Sequence, residues 1–370
     1  MKLKTLVHIS KDFLDLAAAR HARSRAKAYR LRTLNLSVTY KCDSRCTTCG
    51  IWKFYQDRPE DLKRELTLQD FETLFRDPMI RSVQRITISG GEPFLREDLE
   101  EIVAMAQVFT EVRAFGTITN GLRPRRIADT VGAILDRGIF LGVDVSLDGI
   151  GAAHDEVRGR PGNFEKVCET LDSIEPMARA HGTPVGVGLT VTPGRVEQIG
   201  KVRAFAEERG IGFTWRVAST SPYYGEGRIA PFDSEENAAI RRELQTEVTS
   251  AGDNKQKRLL FENMEQFLND PARQVQPCFS GFASVWVDPY GDVFPCIMRT
   301  DRTLGNIKRA SFESIWMDRA FGAVRKDIRD QGCACWTECE ANPTLRLAKP
   351  EIVVGELVDK VKSKIGGSKP

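Results

Sequence analysis

Long apolar runs are missing from this 370-residue chain. No stretch of about 18 apolar residues occurs, so no segment reads as a membrane-spanning helix. The first residues lack the apolar core and small-residue cleavage site of a secretory signal. Excess charge is scarce too. A net charge of +3 is too small to argue for nucleic acid, and no basic stripe interleaved with aromatics is evident. Cysteine is present, but its count of nine is odd, which argues against a fully paired disulfide framework. Without a secretion signal, these thiols read as reduced, cytoplasmic and available to metal. Histidine numbers only 4. The one in the loop His154-Asp155-Glu156-Val157-Arg158-Gly159-Arg160 reads as a structural hydrogen-bonder sooner than as a catalyst.

The length suits one large domain plus a smaller module. Residues 1–41 hold ten Lys or Arg and two Asp, a surplus of +8, so the remainder carries about −5. Lys11 to Arg30 reads as a helix, rich in Ala and Arg and free of Gly and Pro. It is either a docking face for an anionic substrate, a partner or lipid headgroups, or a solvated helix packed outside the main domain.

Further on, short apolar strands alternate with amphipathic stretches, the pattern of parallel α/β architecture. Strands are expected at Asn35–Tyr40, Arg85–Ser89, Ala114–Thr119, Phe140–Leu147, Val185–Val191 and Phe213–Ala218. Helices are expected at Leu68–Arg76, Glu97–Val108, Arg126–Asp136, Phe164–Ala180 and Arg195–Arg209. Six β/α units fall short of the eight of a full barrel.

The first strand runs into Cys42-Asp43-Ser44-Arg45-Cys46-Thr47-Thr48-Cys49. Thiolates with gaps of three and two residues can hold three irons of a cubane [4Fe–4S] cluster and leave the fourth iron open for chemistry. A structural metal site would normally be closed by a fourth ligand. The second strand ends Ser89-Gly90-Gly91-Glu92-Pro93, the third Thr119-Asn120-Gly121 and the fourth Ser146-Leu147-Asp148-Gly149. In a parallel barrel the C-terminal strand ends open on one face, so four motifs converge on one mouth. Gly90-Gly91 removes side chains where backbone must approach a ligand closely, though Gly-Gly-Glu-Pro alone is also a tight turn. Asn-Gly and Asp-Gly are likewise ordinary turn formers. Cys168 sits in a helical pattern and reads as a buried, inert residue.

A second cysteine field follows: Cys278, Cys296, Cys333, Cys335 and Cys339. Between the first two, Val285–Phe294 alternates apolar residues around an Asp-Pro-x-Gly-Asp turn, which predicts a hairpin. That hairpin would bring Cys278 and Cys296 together. Taken alone, four such thiolates could equally close a zinc tetrahedron.

The Cx3Cx2C run and the Gly-Gly-Glu-Pro strand end resemble the radical S-adenosylmethionine (radical SAM) enzymes. The later cysteines, with Gly291 between Cys278 and Cys296, resemble their C-terminal SPASM/twitch auxiliary-cluster domain. The resemblance covers roughly residues 33–342. It implies an α/β fold, a partial (β/α)6 TIM-type barrel with a small cysteine-rich module. The segments would be a basic N-terminal helix (1–32), the barrel (33–220), a helical connector packed on it (221–272), the auxiliary module (273–345) and a tail (346–370).

The implied cofactors are SAM, a SAM-binding [4Fe–4S] cluster on Cys42, Cys46 and Cys49, and one auxiliary [4Fe–4S] cluster. For the latter, five cysteines offer four ligands, and one of Cys333, Cys335 and Cys339 is spare. Gly90, Gly91, Glu92 and Pro93 would meet the methionyl amine, and Asn120, Ser146 and Asp148 the methionyl and ribose portions. Arg158 would either grip the SAM carboxylate or form a rim salt bridge. The fifth strand ends Val191-Thr192-Pro193-Gly194, where relatives often carry Asn, so the adenine-side contacts stay unassigned.

Such an enzyme cleaves SAM reductively and abstracts hydrogen from an unactivated C–H, drawing on a donor such as flavodoxin or ferredoxin. Only about 33 residues precede the first strand, too few for a peptide-recognition domain. The expected substrate is therefore a sugar, cyclitol, lipid or other metabolite. Trp215, Arg216, Tyr223, Tyr224 and Glu226 are substrate-side candidates, although packing and a rim salt bridge serve the first two as well. A maturase of a ribosomal peptide and a non-catalytic zinc or iron–sulfur protein are the alternatives.

Overall fold

The computed structural model describes residues 15–219, 221–224, 231–330, 332–349 and 352. The chain divides into two compact units. One comprises Leu31–Ala239 with Ser284–Asp318, the other Met1–Arg30, Ile240–Ala283 and Arg319–Pro370.

The first unit is built on one sheet of eight strands in the order β6-β5-β4-β3-β2-β1-β7-β8. The strands are β1 (Thr33–Ser37), β2 (Arg85–Ser89), β3 (Ala114–Thr119), β4 (Leu141–Ser146), β5 (Val185–Val191), β6 (Gly212–Val217), β7 (Ser284–Val287) and β8 (Val293–Phe294). β1 to β7 are mutually parallel, and β8 runs antiparallel to β7. The strand runs are rich in Val, Ile and Thr, residues that fit a pleated, half-buried surface. The first six strands alternate with helices, as expected of a partial (β/α)6 barrel.

Helix ends follow local chemistry. Leu68–Arg76 opens on a capping box between Thr67 and Asp70 and buries Phe71, Leu74 and Phe75. Pro124–Asp136 starts with proline in its first turn and buries Ile127, Ala128, Val131, Ile134 and Leu135, a helical stripe.

Two strand features differ from the sequence reading. β1 ends at Ser37, three residues before the expected Tyr40. The Val38 N–H still donates to the Ser89 carbonyl (2.9 Å), and past it the backbone leaves the ladder, the Val38 carbonyl accepting from Arg96 (2.9 Å) and the Tyr40 N–H donating to the Glu65 carboxylate (2.7 Å). The hairpin forms as expected, with Asp288 accepting from the N–H groups of Tyr290 and Asp292 in its turn. Yet it belongs to the barrel sheet rather than to a separate C-terminal module, since β7 pairs with β1 from Thr33↔Ser284 to Leu36↔Val287. All five residues of β1 are buried. An unpaired edge there would strand N–H and C=O groups away from water, and β7 satisfies them.

The second unit is helical. Residues 15–24 form a helix, joined by Lys255–Asn269, Arg319–Arg329 and Glu338–Ala348. Its core gathers Leu16, Ala19, Phe279, Phe282, Ala283, Ile328, Leu347 and Ala348. The basic N-terminal helix is thus part of this core. Arg30 pairs with Asp15 (2.7 Å) and Arg20 donates to the Ala348 carbonyl (3.1 Å). The stretch expected to pack on the barrel as a connector joins this unit from Ile240 onward. Asn263 donates to Gln276 (3.0 Å), which donates to the Ala341 carbonyl (2.9 Å) at the C-terminal helix. No helix among the described residues is long and apolar enough to cross a membrane.

Candidate active site

The three barrel cysteines occupy the loop that leaves β1, and backbone from neighbouring strand ends clamps that loop. The N–H of Gly91 donates to the Thr39 carbonyl (2.7 Å) and that of Glu92 to the Lys41 carbonyl (2.8 Å). Here the glycines have their reason. A Cβ on Gly90 would stand 2.3 Å from the Thr39 carbonyl oxygen, and one on Gly91 2.4 Å from that of Lys41. The close approach is to the cysteine loop itself, and these two N–H groups are spent on it rather than on a ligand.

Glu92 is buried and braces β2 against β3. It accepts from the Asn120 N–H (2.7 Å), the Thr119 hydroxyl (2.9 Å) and the Phe94 N–H (3.2 Å). Burial raises its pKa to about 7 against the opposing pull of those donors. Asn120 then reaches the cysteines: its Nδ2 donates to Asp43 (2.9 Å) and lies 3.9 Å from the Cys42 sulfur.

The far side of the loop rests on the helix Ala152–Arg158. The N–H groups of Arg45 and Thr47 donate to the carbonyls of Arg158 (3.0 Å) and Val157 (2.8 Å). Arg158 Nη1 lies 3.6 Å from the Cys46 sulfur, and its Nε is 2.7 Å from Asp148 at the end of β4. Burial opposes its charge, but Asp148 and the nearby thiols raise its pKa, so it stays a cation. The rim salt bridge is therefore present, in a position that also meets the cluster loop.

Asp148 accepts from the Thr190 N–H (2.9 Å) and donates its own N–H to His154 Nδ1 (3.0 Å). His154 Nε2 must then carry the proton, which it donates to Asn163 (2.9 Å). Burial holds this imidazole neutral, with a pKa lowered to about 4. Ser146 ends β4 and is buried.

Two contributors carry no motif. Glu65 accepts from the Tyr40 N–H (2.7 Å), the Thr39 hydroxyl (2.9 Å) and the Tyr55 hydroxyl (2.6 Å). Arg96 spans Val38 and Leu66 and faces Glu65 at 3.9 Å. Together they hold the approach to Cys42. Asp43, within the cysteine run, also gathers Arg123 (2.7 Å) and, through its carbonyl, Arg160 (2.9 Å).

Of the substrate-side candidates, Trp215 is buried and Arg216 half-buried on β6. Tyr223 is buried, its hydroxyl 3.1 Å from Ser37 and its ring 4.8 Å edge-on to Trp286. The Tyr224 carbonyl accepts from the Gly50 N–H, one residue past Cys49. Both tyrosines thus pack beneath the cysteine loop. Glu226 lies outside the described residues. Cys168 is half-buried, not fully enclosed as its helical pattern implied.

In the second unit, Cys278, Cys333 and Cys335 line one pocket with Gln274, Trp336 and Glu340. Cys296 belongs to the other unit, and the side chain of Cys339 lies outside those described. Both Cys333 and Cys335 therefore face the pocket, and neither stands out as spare. Burial pushes the Cys42 and Cys278 thiols up, so each would lose its proton on meeting a metal rather than before. Among the described residues, no three His, Cys, Asp or Glu converge on a point that would hold a single metal ion.

Residues 36–206 match the radical SAM superfamily and residues 278–340 match SPASM, an iron–sulfur cluster-binding domain. The chain carries a radical SAM domain followed by a C-terminal SPASM domain. The pre-heme d1 synthase of Dinoroseobacter shibae is 25% identical over 345 residues, covering 84% of this chain and 81% of that protein. The mycofactocin maturase MftC of Mycolicibacterium smegmatis is 28% identical over 308 residues, covering 81% and 74%. Streptococcus suis SuiB has a similar fold, with a TM-score of 0.60 at 16% identity over 83% of this chain and 71% of that one.

The two domains imply [4Fe–4S] clusters and SAM. The donor sets fit them. Half-buried thiols stand at each place, with the Asn120 amide and the Arg158 guanidinium turned toward sulfur in the radical SAM domain. The non-catalytic alternative falls with the radical SAM assignment.

Proposed function

We propose that this radical SAM enzyme removes a hydrogen atom from an unactivated C–H group of a small, non-peptide metabolite. When loaded, a [4Fe–4S] cluster on Cys42, Cys46 and Cys49 supplies the electron that splits SAM into methionine and a 5′-deoxyadenosyl radical. The observation that carries the reading is the clamp on the cysteine loop, made by Gly91, Glu92, Asn120 and the 157–158 carbonyls. It pre-positions three thiols beside a row of polar strand ends, as a site that must hold a reactive cosubstrate requires.

We assign the Gly90–Pro93 loop to the amine of SAM, and Asn120, Ser146 and Asp148 to its methionyl and ribose portions. Arg158, already charged and beside Cys46, is assigned to the carboxylate. The auxiliary cluster is assigned to the second cysteine field, of which Cys278, Cys333 and Cys335 line one pocket, for oxidation of the substrate or for its anchoring. A flavodoxin or ferredoxin would be the reductant.

Small-molecule chemistry is supported by the pre-heme d1 synthase, which aligns over 84% of this chain. A second reading, maturation of a peptide, is favoured by the 28% identity to MftC. Deuterium-grown cell extract, assayed with and without exhaustive proteolysis, separates them. The reading predicts that label enters 5′-deoxyadenosine from both preparations. Loss of that label on proteolysis would replace it with the peptide reading.

A further inference from the structure

The segment matched to SPASM opens at Cys278, and what holds Cys278 comes from the other end of the chain. In the N-terminal helix, Leu16 and Ala19 are buried among Phe279, Phe282, Ala283 and Ile328. Arg23 lies seven and four residues beyond them, on the same helical face. Its Nε donates to the Cys278 carbonyl (2.8 Å) and its Nη2 to Gln274 Oε1 (3.1 Å). The other end of that amide, Gln274 Nε2, donates to the Cys333 carbonyl (3.2 Å). One guanidinium and one amide therefore tie together the backbones of two cysteines that line the same pocket.

Burial lowers the Arg23 pKa, yet an arginine starts so high that it keeps its proton. Arg23 is half-buried, its guanidinium 5.9 Å from the ring centres of both Phe279 and Phe282. A cation so shielded is screened less than a surface lysine. The Cys278 sulfur also accepts from the Ser280 N–H (3.4 Å), a contact of the kind that favours extra negative charge on a cluster. Glu340 lines the pocket and has the opposite influence.

We propose that Arg23 is a positioning residue of the auxiliary cluster, fixing the backbones of Cys278 and Cys333 and raising the cluster's reduction potential by its charge. The inference rests on the auxiliary-cluster reading of the second cysteine field. It gives the basic N-terminal helix a task inside its own unit, in place of a docking face.

The test uses the full chain with Cys42, Cys46 and Cys49 all replaced by Ala, so that only auxiliary iron remains. The midpoint potential is followed by electron paramagnetic resonance, and iron per chain is measured alongside. Arg23→Met should shift the one-electron reduction equilibrium about tenfold toward the oxidised form, or about 59 mV downward. Arg23→Lys, which keeps the charge and loses the fork, should retain more than half of the parent potential's margin. Retention of iron by Arg23→Lys with its loss from Arg23→Met would also support the proposal. An unchanged potential in both variants would overturn it, as would an equal shift in Lys326→Met, an exposed charge of the same unit. A parent chain that binds no iron would instead overturn the auxiliary-cluster reading beneath it.

Discussion

At the scale of single residues, the site is made by side chains that spend their polar atoms on one another. His154 is the clearest case, neutral and enclosed between the Asp148 N–H and Asn163. Its pKa falls from 6.5 to about 4 on burial. An unfolded chain takes up a proton near the upper value, and the folded one resists until the lower. The unfolded state therefore binds more protons in that window, and stability falls as pH drops through it. The expected contribution is roughly 3 kcal/mol, fully lost near pH 4. Denaturant titrations of wild type and His154→Gln between pH 7 and 4 check this, since the variant should show a flatter slope. A wild-type slope retained in the variant would remove His154 from that role. The histidine was legible in sequence as a structural hydrogen-bonder. Glu65 and Arg96 were not, because an isolated Glu and Arg carry no spacing signal, and their purpose exists only once β1 and the helix Leu68–Arg76 are in place.

At the scale of elements, most of the barrel could be read in advance, since its strands carry β-branched runs and its helices carry apolar stripes. Leu68–Arg76, Arg85–Ser89, Ala114–Thr119 and Val185–Val191 form with the expected bounds. The misplaced element was β7. Its sequence, Ser-Val-Trp-Val, specifies a buried strand but not which sheet it joins, and the choice is made by the unsatisfied edge of β1. The Gly-Gly-Glu-Pro loop gives the sharpest test at this scale. Gly91→Ala puts a methyl group 2.4 Å from the Lys41 carbonyl oxygen, so the cysteine loop must shift. Iron per chain should fall from about eight to about four, the barrel cluster being lost and the auxiliary one kept. Full iron content in Gly91→Ala would mean that the clamp does not position the cysteines.

At the scale of the whole molecule, the barrel-sheet unit holds Cys42, Cys46, Cys49 and Cys296, and the helical unit holds Cys278, Cys333 and Cys335. The N-terminal helix and the segment from Ile240 to Ala283 both build the second. Sequence order hid this arrangement, because Arg23 and Cys278 lie 255 residues apart and only folding joins them. In the first field, Cys42, Cys46 and Cys49 are proposed to support reductive cleavage of SAM. Anaerobic reconstitution with iron and sulfide, then addition of SAM and a strong reductant, tests it by mass spectrometry of 5′-deoxyadenosine. Wild type should form this product while Cys46→Ala, still carrying auxiliary iron, forms none. Equal amounts from both, or none from a fully iron-loaded wild type, would show that these three cysteines do not support SAM cleavage.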